Sequence, residues 1–198
     1  MNYLAHILLS GVDPDLIIGN FIGDHVKGND TENFPVGIRN GILLHREIDY
    51  YTDTHPVVHS SKELLRPVFS KYAPVVADVY YDHFLATNWE QMHHQSLRDF
   101  TSKFYKLTKQ YSDILPKRTN FMLTHMIEND WLTSYSEISG ISNVLISMSK
   151  RTNFKSNMEL GGRELVKNYN SLEEDFLSFF PELQKHTQLF IQELENNR

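Results

Sequence analysis

Residues 74–89 read PVVADVYYDHFLATNW. Pro74 suits the first turn of a helix, where no backbone N–H is needed. The residues after it are apolar on nearly every side, as in a helix buried at the centre of a protein. Asp78, Asp82 and His83 interrupt this pattern. Buried ionisable groups are costly unless they are paired, hydrogen-bonded or bound to a metal. The stretch therefore predicts a central helix that contributes to a polar site.

The rest of the chain also has helical periodicity, and no segment alternates convincingly as a β-strand does. Proline and Asp13 mark helix starts, and glycine marks helix ends. We predict helices over residues 2–10, 14–26, 35–53, 56–69, 74–89, 96–111, 117–135, 137–149, 161–179 and 181–198. No linker, internal repeat or low-complexity tract divides them. The prediction is an all-α bundle in a single domain, residues 1–198.

Composition limits the possible classes of protein. With 198 residues, 40% of them hydrophobic and 12% aromatic, the chain is long and apolar enough for a substantial core. It contains no cysteine, which excludes a disulfide framework and a thiolate zinc site. The N-terminus has no basic leader, and no apolar run is long enough to span a membrane. We therefore expect a cytoplasmic protein with no membrane partner.

The net charge of −6 is unevenly distributed. Residues 1–99 contain 7 Lys/Arg and 13 Asp/Glu, whereas residues 100–198 contain 12 of each. An acidic site repels a phosphate unless a cation is bound there, so the asymmetry favours a metal site in the first half. The same imbalance argues against nucleic-acid binding, which requires a basic face.

Aspartate and histidine recur together in this acidic half. The groups are Asp24-His25, His45 with Asp49 and Asp53, and Asp78 with Asp82 and His83. Residues four apart lie about 40° apart around a helix, so they share one face. His45 and Asp49 therefore lie on the apolar side of one helix, and Asp82 lies on an apolar side of another. Two helices that both direct such groups inward predict a shared site.

Each pair also has a structural explanation, since a single Asp–His pair in a helical protein is usually a hydrogen bond or a solvated edge. His25 faces away from Asp24, and we interpret it as structural. His6 lies in an apolar N-terminal helix, where core packing and metal binding are equally consistent with the pattern. The remaining histidines, which lie in loops, at helix ends or on polar faces, are interpreted as surface residues: His55, His59, His93, His94 and His186.

Imidazole and carboxylate ligands without sulfur suit Mn²⁺, Fe²⁺ or Zn²⁺. Such an ion lowers the pKa of a bound water, and an additional aspartate that does not bind the metal can act as general base. No serine or cysteine lies in a recognisable nucleophile setting, and no glycine-rich phosphate loop is present. These observations predict a metal-assisted hydrolase in which water is the nucleophile.

Several segments together resemble a known family. Residues 2–6, NYLAH, and 19–28, GNFIGDHVKG, are similar to the start of bacterial acyl carrier protein phosphodiesterases. The resemblance continues through residues 41–56, with His45, Arg46, Ile48 and Asp49, and through Asp82-His83-Phe84. It is looser toward the C-terminus but covers essentially the whole chain.

This resemblance implies an enzyme that removes 4′-phosphopantetheine from holo acyl carrier protein. It also implies an all-helical fold similar to the HD phosphohydrolases, with manganese as the associated metal and Fe²⁺, Zn²⁺ or Mg²⁺ as alternatives. On this basis we predict His6, His45, Asp82 and His83 as metal ligands and Asp24, Asp49 and Arg46 as catalytic residues. The dyad here runs Asp-His and not His-Asp, so the resemblance does not fix which residue binds which metal.

The implied partner is acidic, so a net-negative enzyme needs a local basic patch for docking. We predict that patch at Lys103, Lys106, Lys109, Lys117 and Arg118, with a second cluster at Lys150, Arg151 and Lys155. Each lysine alone is also explained as part of a solvated helix face. Two other functions remain open: a related phosphohydrolase acting on a nucleotide or another small phosphodiester, and a non-catalytic helical binding module.

Overall fold

The computed structural model describes residues 1–196, and all regular elements in that range are helical. The α-helices are α1 (Tyr3–Leu9), α2 (Pro14–Ile22), α3 (Val36–Thr54), α4 (Pro56–Phe69), α5 (Ala73–Thr87), α6 (Trp89–Met92), α7 (Leu97–Gln110), α8 (Lys117–Glu128), α9 (Trp131–Ser134), α10 (Ile138–Ser149), α11 (Gly161–Lys167) and α12 (Tyr169–Asn196). Short 3₁₀ turns connect several of them. The all-α prediction is confirmed, and the last two residues of the predicted C-terminal helix lie outside the described residues.

Helix α5 is the central helix that residues 74–89 predicted. It packs against α1, α4, α10 and α12. All eight consecutive residues from Val79 to Ala86 are buried, among them the large Tyr80, Tyr81 and Phe84, so this part of the helix is covered on every side. A side chain of this size contributes about 1.5–3 kcal/mol when it leaves water, so burial on several sides holds α5 firmly in the core. Any polar group on α5 must therefore find its partners inside the protein.

Helices α2 and α3 cross in backbone contact. The side chain of Asp13 caps α2 by accepting hydrogen bonds from the backbone N–H groups of Asp15 and Leu16. One turn further along, a Cβ atom on Gly19 would collide with the carbonyl oxygen of Ile38 and the Cα of Gly41. Only glycine permits this approach, which brings the C-terminal end of α2 against the middle of α3.

Replacing Gly41 with alanine should therefore destabilise the protein by about 1–3 kcal/mol, because the two backbones must move apart. Chemical denaturation of the variant and the parent protein measures this difference. The sign of the change is the test, since a glycine-to-alanine change at an uncrowded helical position stabilises a helix by up to about 1 kcal/mol. A gain in stability would show that the two helices do not touch at Gly41.

Several predicted helix boundaries were wrong. The helix predicted over residues 14–26 ends at Ile22 in a 3₁₀ turn, and the helix predicted over residues 161–179 is interrupted between α11 and α12. The predicted helix 117–135 is two helices, because Asp130 adopts a left-handed conformation with φ of 42° between α8 and α9. Conversely, Pro181 does not begin a new helix but lies inside α12. Phe176, Phe180 and Leu183 are buried on both sides of this proline. The continuous apolar face offsets the one hydrogen bond that proline cannot form.

No helix within residues 1–196 is both long enough and apolar enough to cross a membrane. The cytoplasmic location expected from the sequence stays a prediction.

Candidate active site

Two histidines and one aspartate from two helices meet at a single point. His6 lies in α1, and His45 and Asp49 are one turn apart in α3. The Nε2 atom of His6 lies 3.2 Å from Oδ1 of Asp49, and the Nε2 atom of His45 lies 3.1 Å from Oδ2. The two imidazole rings stack with their centroids 4.2 Å apart. Within residues 1–196, these three form the one group of histidine and acidic side chains whose ligand atoms, all within 4.8 Å of one another, could share a metal ion.

Asn20 of α2 fixes the orientation of both rings. The Nδ1 atom of His45 is 2.9 Å from the backbone carbonyl oxygen of Asn20, which can only accept, so Nδ1 donates. The side-chain amide of Asn20 donates to the carbonyl oxygen of His6 and to Ser10, so its Oδ1 atom accepts from Nδ1 of His6 at 2.7 Å. In the neutral form of each ring, Nε2 therefore carries a lone pair, and both lone pairs face Asp49.

This arrangement fits a divalent cation. The Nε2 atom of His6 is buried and has no hydrogen-bond partner among the described residues, despite its proximity to Asp49. An acceptor nitrogen and a carboxylate oxygen repel each other unless a proton or a cation lies between them. Metal-binding histidines characteristically donate their other ring N–H to a carbonyl or carboxylate oxygen, as both rings do here. The donor set, two imidazoles and a carboxylate without sulfur, suits Mn²⁺, Fe²⁺ or Zn²⁺.

The electrostatics of the cluster favour positive charge at His45, whereas His6 is held in its neutral form. Burial alone would lower the pKa of His45, but hydrogen bonds to Asp24 and Asp49 outweigh it and raise the pKa to about 9. Burial would raise the pKa of Asp49, but the two histidines hold it well below its usual range. The pKa of His6 is lowered, first by burial and then by the neighbouring His45. The carboxylates thus create a potential that attracts a cation to the histidine nitrogens.

Asp24 adds a second carboxylate beside this cluster. It lies in the 3₁₀ turn Gly23–His25 that follows α2, with Oδ1 3.4 Å from Nε2 of His45. A Cβ atom at Gly23 would collide with the ring of His45, so glycine is required for this close approach. The side chain of Asp24 is 64% exposed, and its hydrogen bond to His45 lowers its pKa. It is therefore a charged carboxylate within reach of a substrate.

The cluster lies beside a cleft of about 600 Å³, large enough for a small ligand. Polar and charged side chains line the cleft, among them Asp24, His25, Asp49, Asp53, Asp78, Arg118 and Arg151. Apolar and aromatic side chains also line it, including Tyr72, Pro74, Val75, Val79, Met148 and Met158. The nitrogen of Met1 also faces this region, 3.0 Å from Oδ1 of Asp78. An anionic group with an extended, partly apolar substituent matches this distribution.

The structure does not bring Asp82 and His83 into the cluster. The carboxylate of Asp82 is fully buried and accepts hydrogen bonds from the backbone N–H groups of Leu4, at 2.7 Å, and Ala5, at 3.2 Å, in the first turn of α1. Burial raises the pKa of Asp82 to about 7, and these N–H groups oppose part of the rise. In this structure Asp82 is a buried cap for α1 and lies outside the His6–His45–Asp49 group, and its metal-ligand role stays a prediction.

His83 also forms its hydrogen bond outside the cluster. Its Nδ1 atom lies 2.7 Å from the carbonyl oxygen of Tyr135, so Nδ1 donates, while Nε2 is buried without a hydrogen-bond partner in the described structure. Within residues 1–196, His83 belongs to no group of three or more histidine and acidic side chains that could hold a metal ion. It lies outside the His6–His45–Asp49 group, and its metal-ligand role stays a prediction.

Arg46, predicted as a catalytic residue, lies on the outer face of α3. It is exposed, contacts the carbonyl oxygen of Gly28 at 3.4 Å and does not line the cleft. His25, interpreted from the sequence as structural, does line the cleft, with Nδ1 2.6 Å from the hydroxyl of Thr119. Sequence reasoning missed Asn20 and Tyr3, although both lie in segments that carry the family resemblance.

A helical protein that holds two histidines and an aspartate around one point, beside a charged aspartate and an open cleft, has the donor set of a metal-assisted hydrolase. Residues 1–183 match the family model described as acyl carrier protein phosphodiesterase. The chain belongs to this family.

Individual relatives agree with this assignment. The chain is 30% identical to a protein of Serratia proteamaculans named acyl carrier protein phosphodiesterase, over 92% of this chain and 95% of that one. A protein of the same name from Enterobacter sp. (strain 638) is 32% identical, again over 92% and 95%. The one from Yersinia pestis is 30% identical over 95% and 98%. No solved structure matches the chain significantly, so the likeness to HD phosphohydrolases stays a prediction.

Proposed function

We propose that this protein removes the 4′-phosphopantetheine arm from holo acyl carrier protein by metal-assisted hydrolysis. The observation that carries the proposal is the pair of buried histidine Nε2 atoms that face Asp49 with their orientations fixed by Asn20. The relatives' shared name, acyl carrier protein phosphodiesterase, supplies the substrate. The adjoining cleft, lined by both charged and apolar side chains, supports a substrate that joins a phosphodiester to a partly apolar substituent.

His6, His45 and Asp49 would hold the metal, which we propose is Mn²⁺, with Fe²⁺, Zn²⁺ or Mg²⁺ as alternatives. This moves Asp49 from the predicted catalytic group to the ligand group, because both histidines converge on its carboxylate. When bound, such an ion lowers the pKa of a coordinated water and withdraws charge from a phosphoryl oxygen. Asn20 keeps both rings in the tautomer that leaves Nε2 available.

Asp24 is the proposed general base. Its depressed pKa keeps it ionised at neutral pH, and it lies beside the metal-binding nitrogens while facing the cleft. As the oxygen of water forms a bond to phosphorus, Asp24 accepts a proton from that water. The bond between phosphorus and the serine oxygen of the carrier breaks, and this oxygen takes up a proton. The products are the apo carrier and free 4′-phosphopantetheine.

The carrier is acidic and is proposed to dock on the basic patch predicted from the sequence. Lys103, Lys106 and Lys109 are exposed on α7, and Lys117 and Arg118 are exposed at the start of α8. Lys103 contacts the side chain of Gln95 at 2.9 Å. Because α8 also provides Arg118 to the cleft, a carrier bound along this side would have its modified serine near the cleft.

The test is a mass spectrum of holo carrier after incubation with the protein and Mn²⁺. We expect a mass loss of one phosphopantetheine arm, abolition of the reaction by a chelator and its recovery when Mn²⁺ is added back. Metal analysis should find a divalent ion in the wild-type protein and little in the His45→Gln variant. An unchanged carrier mass with a folded, metal-loaded sample would rule out the proposal.

The same experiment separates the two alternative functions. Cleavage of a small phosphodiester without cleavage of holo carrier would indicate a phosphohydrolase with another substrate. Absence of both turnover and bound metal would indicate a non-catalytic helical module.

A further inference from the structure

The cleft beside the histidine cluster is acidic, although its proposed substrate is an anion. Four aspartates line it, namely Asp24, Asp49, Asp53 and Asp78. The amino group of Met1 lies 3.0 Å from Oδ1 of Asp78 and that of Lys62 lies 2.7 Å from Oδ1 of Asp53, which leaves the charges of Asp24 and Asp49 for a divalent cation to balance. The charge of the phosphodiester itself then needs a further cation. Among the described residues that line the cleft, the arginine and lysine side chains are Arg118 and Arg151.

The two arginines converge from distant parts of the chain. Arg118 is the second residue of α8, and Arg151 follows the C-terminal end of α10. Burial and the charge of Asp24 raise the pKa of Tyr3 to about 12, and both guanidinium groups oppose this rise. Both arginine side chains also line the cleft, and this shared lining is the geometric observation that places them at one site. Tyr3 itself lines the cleft and is three residues before His6.

Neither guanidinium group is neutralised by a carboxylate within residues 1–196. Arg151 donates from Nε to the carbonyl oxygen of Ser147 at 3.2 Å, which orients the group without balancing its charge. Arg118 forms no hydrogen bond or ion pair in the described part of the chain. Lys62 is a contrast, because its amino group is buried and lies 2.7 Å from Oδ1 of Asp53. The protein thus pairs a nearby lysine internally but leaves both arginines open to the cleft.

We propose that Arg118 and Arg151 together bind the non-bridging oxygens of the phosphodiester. This rests on the proposed function, which it deepens by assigning the phosphate-recognition residues. A guanidinium group is permanently charged, and its planar array of N–H donors matches two oxygens of a phosphate. Arg118 thereby moves from the predicted docking patch to the substrate site. The pair also takes the place of Arg46, which the sequence predicted as a catalytic residue but which does not line the cleft.

The competing role for these arginines is docking, because a guanidinium group also binds the carboxylates of an acidic carrier. A small diester and the free product separate the two roles, since neither contains any carrier protein. We would compare wild type, Arg118→Ala, Arg151→Ala and the corresponding lysine variants in the Mn²⁺-loaded protein. The measurements are kcat/KM for holo carrier, kcat/KM for bis(p-nitrophenyl) phosphate, and calorimetric titration with 4′-phosphopantetheine.

If the arginines bind phosphate, each alanine variant loses about tenfold or more in kcat/KM on both substrates, and the product binds more weakly by a similar factor. Each lysine variant should recover part of the loss, because it keeps the charge but not the planar donors. Arg66→Ala is the matched control, since Arg66 is an exposed arginine that pairs with Glu63 away from the cleft. It should behave as wild type, with unchanged thermal unfolding for all variants.

Loss of activity confined to holo carrier, with product binding as tight as in wild type, would overturn the inference and assign the arginines to docking. Should the small diester not be a substrate of the wild-type protein, the product titration alone decides between the two roles. Arginine-dependent binding of 4′-phosphopantetheine without cleavage of holo carrier would contradict the proposed function but sustain the phosphate site. The two failures are therefore distinguishable.

Discussion

Replacing Asp49 with asparagine is expected to lower the rate of phosphodiester hydrolysis by at least about a hundredfold, since the loss of even an outer partner of a metal ligand costs 10–100-fold. The carboxylate of Asp49 lies 3.2 Å from Nε2 of His6 and 3.1 Å from Nε2 of His45. An amide keeps the shape but removes the charge that attracts a cation to both nitrogens. Turnover of holo carrier and the metal content of the purified variant are the two measurements.

The fold should tolerate this substitution, because the side chain of Asp49 is 40% exposed and faces the cleft. Circular dichroism and thermal unfolding check that expectation. Asp30→Asn is a matched control, since Asp30 is exposed and does not line the cleft, and it should keep full activity and full metal content. If Asp49→Asn kept normal turnover and normal metal content, Asp49 would be excluded as a metal ligand, and the proposed ligand set would be reduced to the two histidines.

The part of the site that depends on spacing along one helix was predictable from the sequence. His45 and Asp49 are four residues apart, so the geometry of an α-helix alone places them side by side, and the structure has them 3.1 Å apart. The apolar residues around the central helix likewise predicted its burial. Local periodicity determines both features, and no knowledge of the tertiary arrangement is needed.

The rest of the site depends on how the helices cross. The stacking of His6 on His45 requires α1 to contact α3. The hydrogen bonds between Asn20 and the histidine rings require the close contact of α2 with α3 at Gly19 and Gly41. Arg151 enters the cleft from a segment more than 100 residues away from the cluster. The spacing of residues along the chain does not predict which distant helices meet. The resemblance to a known family was therefore the one signal that indicated a role for His6 in the site.

Asp82 shows what periodicity alone leaves open about a site. Both Asp49 and Asp82 follow the apolar side of a helix, and the pattern therefore predicts that both face inward. It does not predict what each residue meets there. Asp49 meets two imidazole rings, whereas Asp82 meets the unpaired N–H groups at the start of α1. The first four N–H groups of any helix have no partner within the helix. At a buried helix end a side chain must supply the acceptor, because bulk water is excluded.

Replacing Asp82 with alanine is accordingly expected to destabilise the protein by about 2–6 kcal/mol, because two buried N–H groups lose their acceptor and each unsatisfied group costs about 1–3 kcal/mol. Chemical denaturation measures the change in the free energy of unfolding. Asp13→Ala is a useful comparison, because Asp13 caps α2 in a half-buried position and should cost about 1 kcal/mol. Asp82→Asn should lose less than Asp82→Ala, because its amide oxygen still accepts a hydrogen bond.

Measurements of activity distinguish the structural role of Asp82 from the metal-binding role that the sequence predicted. Since α1 carries His6, loosening its first turn should reduce turnover in proportion to the fraction of Asp82→Ala that is unfolded or has α1 displaced. A stabilising solvent additive or a lower temperature should then restore much of the activity and the metal content. If Asp82→Ala instead unfolds like wild type but binds no metal at any temperature, the carboxylate must reach the metal, and the cap at α1 is not its main role.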